Sequence, residues 1–153
     1  MDRRNFIKNA IGAIIGLQVV ALFYSFFRNN SPKLSNSSEW LDLGLVDDFE
    51  NGKTYTFPNN KLFLHRTENG EFIALSNKCT HLGCAINLDS QNDRFICPCH
   101  SSHFDKLGVV LQSPAKRPLD YFPISIQANK VKVDVRKSMK RNLFDKSQLT
   151  SIS

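Results

Sequence analysis

Four cysteines, Cys79, Cys84, Cys97 and Cys99, and three of the four histidines, His81, His100 and His103, fall between positions 79 and 103 of a 153-residue chain. Thiolate sulfur and neutral imidazole nitrogen are the donors that zinc and iron take, so this concentration points to a metal site. The residues form two boxes, CTHLGC from Cys79 to Cys84 and CPCHSSH from Cys97 to His103. By spacing the pattern is C-x-H, fifteen intervening residues, then C-x-x-H, with one surplus cysteine in each box. Two thiolates with two imidazoles suit tetrahedral zinc, or a two-iron cluster in which histidines ligate one of the irons; spacing leaves both open. All four cysteines lie within 21 residues of one another, which is the distribution of one site and not of a general disulfide framework.

The elements that must position these boxes read as short strands. From Trp40 onward the chain shows brief apolar runs, many of period two, bounded by turn residues: WLDLGLV, TYTF, KLFLHRT, EFIAL, RFIC, YFPISI and KVKVDV. Glu68, Asn69 and Gly70 separate the third run from the fourth and predict a hairpin turn, with glycine supplying the positive φ. In the last run Val131, Val133 and Val135 alternate with Lys130, Lys132 and Asp134, the pattern of a strand with one buried and one wet face. The fold class is all-β, a small antiparallel sandwich or barrel. Two connections are long, 77–92 and 98–118, and they carry the two boxes. His65, in KLFLHRT, is expected on a strand surface and not as a ligand.

The formal net charge of +6 raises the question of nucleic acid, and its placement answers it. Residues 1–33 carry five Lys/Arg against one acid, residues 136–153 again five against one, and residues 34–135 ten against twelve. A basic balance confined to two ends, with no stripe of cations interleaved with aromatics, argues against a nucleic-acid groove. The central domain is expected over residues 39–135, followed by a basic tail, 136–153, that is frayed or loosely docked. Before it, residues 10–27 (AIGAIIGLQVVALFYSFF) contain no charged side chain. Eighteen helical residues span roughly 27 Å, so this stretch is expected to be one N-terminal transmembrane helix, uncleaved. Arg3, Arg4 and Lys8 precede it, which by the positive-inside rule puts the N-terminus in the cytoplasm and the cysteines outside, on the periplasmic side of a bacterial-type inner membrane. Residues 1–9 resemble a twin-arginine export signal, and 28–38 read as a flexible linker.

CTHLGC and CPCH-S-S-x-F resemble the paired boxes of the Rieske iron-sulfur proteins, of the disulfide-containing type found in quinol:cytochrome c oxidoreductases. The resemblance implies one [2Fe-2S] cluster with Cys79 and Cys97 on the inner iron and His81 and His100 on the outer one. It implies a disulfide between Cys84 and Cys99, a hydroxyl hydrogen bond from Ser102 to a bridging sulfide, and no ligand role for His103. SPAKRPL (Ser113–Leu119) resembles the proline loop that covers the cluster. Two positions depart from the family pattern: Ser101 stands where a glycine is usual, and Phe104 where high-potential members carry a tyrosine that donates to a ligand cysteine.

What the resemblance implies for function is an electron-transfer subunit of a quinol:cytochrome c oxidoreductase, not a complete enzyme alone. It would oxidise quinol in a proton-coupled step at His100 and His81 and pass one electron to a cytochrome c-type haem. Its partners would be cytochrome b-type and cytochrome c-type subunits, quinol and the membrane, within an oligomeric complex. The alternative is the small Rieske subunit of an exported molybdenum oxidase resembling arsenite oxidase. A zinc-binding interaction module would use the same four ligands without redox chemistry.

Overall fold

The structure, a computed structural model, describes residues 14–25 and 40–152. They belong to two compact units, 1–37 and 38–153. In the first unit residues 14–25 are helical, with Leu17 and Leu22 exposed. No helix among the described residues is long and apolar enough to cross a membrane. The export motif at 1–9, the linker at 28–38 and both ends of the expected span at 10–27 lie outside the described residues.

Among its described residues the second unit contains eleven strands in three antiparallel sheets. The first sheet has the order β1 (Trp40–Leu45), β11 (Lys130–Asp134), β10 (Ile124–Gln127). The second has β2 (Thr54–Phe57), β3 (Leu62–Arg66), β4 (Phe72–Ser76) and β9 (Tyr121–Phe122). The third has β5 (Asn87–Asp89), β6 (Arg94–Ile96), β7 (His103–Asp105) and β8 (Val110–Gln112). The all-β antiparallel expectation therefore holds, resolved into three sheets instead of two.

The second sheet is the centre because its inner strands are apolar on both faces. Leu62 and Leu64 of β3, with Phe72 and Ala74 of β4, enter a core completed by Val131 and Val133 of the first sheet. Their alternates Phe63, Ile73 and Leu75 enter a second core with Phe95 and Phe104 of the third sheet, and Cys79 and Cys97 lie in that same core. Period-two geometry sends successive side chains to opposite faces, so a run with no polar alternate must be covered on both. The β3–β4 hairpin closes where expected: Gly70, with φ of 86°, donates its N–H to the Thr67 carbonyl at 3.0 Å.

Two expectations are corrected here. His65 is buried, not on a surface, with 4% of its area exposed. Its Nδ1 lies 3.1 Å from the Lys53 carbonyl and 2.9 Å from Thr54 Oγ1. With its proton on Nδ1 the ring donates to that carbonyl, and without it Nδ1 accepts the Thr54 hydroxyl proton. The tail from Arg136 is docked. Met139 exchanges backbone hydrogen bonds with Tyr121 of β9, and Thr150 does so with Phe72 of β4. Arg141 is buried, and Phe144 and Leu149 pack against the core that holds Cys79 and Cys97.

Candidate metal centre

The two boxes are one backbone turn used twice. In the first, following β4, the Cys79 N–H donates to the Cys84 carbonyl at 2.8 Å and the Gly83 N–H donates back to the Cys79 carbonyl at 2.9 Å. In the second, between β6 and β7, the Cys97 N–H donates to the Ser102 carbonyl at 2.9 Å and the Ser101 N–H to the Cys97 carbonyl at 3.0 Å. The fifth residue of each turn is left-handed, Gly83 at φ of 82° and Ser101 at 56°. Glycine adopts that region freely, whereas serine carries its Cβ there at a cost of roughly 1–2 kcal/mol. This is the backbone consequence of the serine that replaces the usual glycine.

Each turn presents its leading cysteine inward. Cys79 and Cys97 are both buried and both free, while Cys84 and Cys99 form a disulfide across the loops with Cα atoms 6.6 Å apart. The Cys97 sulfur lies within 4.8 Å of both sulfurs of that disulfide. Burial pushes the Cys79 thiol above its ordinary pKa and the adjacent Cys97 adds to the rise; the His81 backbone N–H and the Ser102 hydroxyl, which donate to its sulfur, oppose it. A pair of buried thiols that resist ionisation in isolation becomes a pair of ligands when a cation compensates the thiolate charge.

The histidines sit at the outer side of the same loops. The His81 and His100 rings meet edge to face at 4.9 Å between centroids, with His100 exposed. His81 Nδ1 is buried and has no hydrogen-bond partner. A buried nitrogen without a partner is costly unless something outside the polypeptide satisfies it, and a metal ion does so. Two thiols and two imidazoles from paired loops therefore fit a metal group, with sulfur on the inner side and nitrogen on the outer.

The surroundings fasten this arrangement from several segments. Ser102 is fully buried and accepts the Ala115 N–H at 3.0 Å, which leaves its hydroxyl proton for Cys79. Ala115 belongs to the Ser113–Leu119 stretch, which opens with a cis Ser113–Pro114 bond. Thr80 of the first box donates to the Arg117 carbonyl at 2.7 Å, and Arg117 pairs with Asp120. The expected covering loop is thus tied to both boxes. Phe104, fully buried on β7 opposite Phe95, offers no donor. His103 lies on β7 paired with Ile96 and Gln112 and belongs to the strand, not to the turn.

Sequence reasoning missed Arg141. Its Nε donates to the Leu119 carbonyl at 2.7 Å, and its Nη groups donate to the Leu107 carbonyl and to Gln148 Oε1. The Tyr121 and Phe144 rings flank it, each with the guanidinium carbon 5.8 Å from its centroid. Leu107 and Leu119 bracket the excursion that carries the covering loop, so Arg141 clips that loop at its base. Burial pushes the guanidinium pKa down, the mark of an ion withdrawn from water.

A three-sheet β domain with two matching turns, each carrying a buried thiol and an imidazole beyond it, offers the donors that a mixed thiolate–imidazole metal group requires. Comparison with known proteins gives the family. The Rieske [2Fe-2S] domain matches residues 39–123. A cytochrome b6-f complex iron-sulfur subunit of Chlorobaculum tepidum is 30% identical over 139 residues, covering 88% of this chain and 76% of the relative. Another such subunit, from Prochlorococcus marinus subsp. pastoris, is 39% identical over 93 residues, 61% of this chain and 45% of the relative. The plasma membrane Rieske protein of the cyanobacterium Synechocystis superposes with a TM-score of 0.50 at 28% identity, covering 61% of this chain and 97% of that one. The chain belongs to the Rieske [2Fe-2S] family and binds one [2Fe-2S] cluster.

Proposed function

We propose that this chain is the iron-sulfur subunit of a quinol-oxidising cytochrome complex of the bc or b6-f kind, with Cys79, His81, Cys97 and His100 as the cluster ligands. The observation that carries the ligand set is the unpartnered, buried Nδ1 of His81, in ring contact with His100 beside two buried free thiols. The relatives named as b6-f iron-sulfur subunits support the complex. When bound, a cluster with two imidazoles on one iron supplies a one-electron couple at about −150 to +300 mV.

The chain's own residues supply the rest. Cys79 and Cys97, from the buried side, donate thiolate sulfur, and Ser102 donates its hydroxyl to that sulfur environment. His100 is the exposed ring, positioned to hydrogen-bond a quinol hydroxyl and to take its proton, with His81 beside it. An imidazole that gains and loses a proton as the electron count changes links electron uptake to proton uptake, and quinol must lose both. Residues 10–27 serve as a single membrane anchor, with the domain on the outer side of a bacterial-type inner membrane. Electrons leave to a cytochrome c-type haem.

The test is a redox titration of the reconstituted protein between pH 6 and 10, with electron paramagnetic resonance of the reduced state. The expected result is a rhombic signal with average g near 1.9 and a potential that falls with rising pH as the imidazoles deprotonate. A potential flat across that range removes His81 and His100 as ligands, and a colourless zinc-loaded protein removes the cluster. Native purification decides the complex: a cytochrome b-type partner supports this reading, and a molybdenum subunit replaces it.

A further inference from the structure

The first box, from Cys79 through His81 to Gly83, lines one side of an open cleft of about 320 Å³ that Lys78, Arg117 and Lys140 also line, with Asp120 its single acid. The three cations come from three separate segments: the strand-to-box junction, the covering loop and the C-terminal tail. Asp120 is occupied by Arg117, and among the described residues no ion pair includes Lys78 or Lys140. The cleft therefore holds about two uncompensated positive charges.

These lysines are placed, not merely present. The Lys78 side chain lies against Gly83, so close that a Cβ there would stand 2.9 Å from Lys78 Cε. Lys140 sits between two anchors, Met139, hydrogen-bonded twice to Tyr121, and Arg141, which is buried and donates to the Leu119 carbonyl. The tail, which lies beyond the residues matched by the family, thus brings a cation to the cleft beside His81.

We propose that this cleft is the docking site for carboxylates on an acidic face of the protein that exchanges electrons with the cluster. The proposal rests on the electron-transfer reading above and specifies the partner's surface. Both lysines are exposed, so they act by long-range attraction and orientation and not by tight capture of a small ion. Leu82, 69% exposed on the same lining, adds the apolar contact that a protein face provides and a free anion does not.

The experiment uses the full chain with its cluster and two outer-sphere oxidants of opposite charge. Ferricyanide (3−) takes one electron from the reduced protein and becomes ferrocyanide; tris(phenanthroline)cobalt(III) (3+) takes one and becomes cobalt(II). Lys78→Glu and Lys140→Glu should each slow ferricyanide by about fivefold at 0.1 M ionic strength and about twentyfold at 0.01 M, as expected for a charge change of two near 10 Å from a trianion. The same substitutions should speed the cobalt complex, and Lys130→Glu, in the first sheet, should change either rate by less than about twofold. A second measurement needs no electron transfer. In protein reductively methylated with ¹³C at its lysines, hexacyanochromate(III) should broaden the Lys78 and Lys140 resonances ahead of that of Lys130. Equal broadening of all lysines, or oxidant rates whose ratio ignores the two reversals, overturns the docking site. A protein that shows selective broadening but holds no reducible cluster leaves the anion site standing and overturns the electron-transfer reading instead.

Discussion

Replacing Arg141 by methionine tests how much the tail holds the metal-binding end together. The substitution keeps an unbranched apolar chain between Tyr121 and Phe144 and removes the donors to the Leu107 and Leu119 carbonyls and to Gln148. Hydrogen bonds from a charged donor contribute about 1.5–3 kcal/mol each, and a buried acceptor left unpaired costs about 1–3 kcal/mol. Against this stands relief from burying a guanidinium, whose cost shows in its lowered pKa. With Arg141 only 5% exposed, water cannot readily replace the lost donors, and the net loss is about 3 kcal/mol. For a domain of about 110 residues, at roughly 2.1 cal/mol/K of unfolding entropy per residue, that lowers Tm by about 13 °C. Thermal unfolding followed by circular dichroism reads the global effect. Hydrogen exchange at residues 108–119 reads the local one, with protection there falling more than in β3 and β4. Arg141→Lys, which keeps a charge but loses the fork that reaches several acceptors, should fall between. A methionine variant within about 1 kcal/mol of the parent, with unchanged exchange in 108–119, refutes the clip.

Further outcomes follow from single positions. Phe104→Tyr should raise the reduction potential by roughly 20–60 mV, the equivalent of one hydrogen bond to a ligand sulfur, as read by redox titration; no rise removes the lack of a donor at this position as a determinant of the potential. His65 has its pKa lowered by burial from 6.5 to about 4, so the unfolded chain binds its proton first as pH falls. Its contribution to stability is present above pH 6.5 and lost as pH falls through about 4, up to about 3 kcal/mol. Denaturant titrations at pH 7 and 4 should therefore differ by less in His65→Gln than in the parent. Replacing Cys84 and Cys99 together by serine opens a loop with a sequence separation of 15 and should cost about 3 kcal/mol, measured by the midpoint of chemical denaturation.

The metal-binding end was legible because its donors are few, concentrated and chemically specific. The boxes CTHLGC and CPCHSSH needed no knowledge of the fold to be grouped, while the choice of Cys79, His81, Cys97 and His100 among their donors came from the family resemblance; the structure brings the two free thiols into one core and the two rings into contact. The strands of the central sheet were legible only as apolar runs, KLFLHRT and EFIAL; that Leu62, Phe63 and Leu64, and again Phe72, Ile73, Ala74 and Leu75, are covered on both faces is what the structure adds. The common turn of the two boxes was not legible. It is written in backbone hydrogen bonds within each box that give Gly83 and Ser101 the same place in the turn, two residues that spacing from the histidines does not align. The number of sheets was equally out of reach, because which strands pair is decided by long-range closure and not by local pattern.

The two misreadings, a surface His65 and a loose tail, have one cause. His65 follows Leu64 on β3 and shares the face of Phe63, where local pattern allows either water or cover. On that side Phe144 and Leu149 of the tail pack against the core of Phe63 and line one cleft with His65 and Leu107. Those two apolar residues lie among Lys, Asn, Asp, Ser and Gln at no helical or strand period, so their burial leaves no periodic trace. Arg141 helps to hold them down, through the Leu107 and Leu119 carbonyls and Gln148 and alongside the backbone pairing of Thr150 with Phe72; its charge argues for solvent, and main-chain carbonyls leave no mark in a sequence. Arg141→Met should therefore do more than lower Tm. By loosening the cover it should rehydrate His65 and return the imidazole from about 4 toward its ordinary 6.5, a shift that ring-proton NMR can follow. An imidazole that keeps its depressed pKa in the methionine variant would mean that the sheet alone buries it.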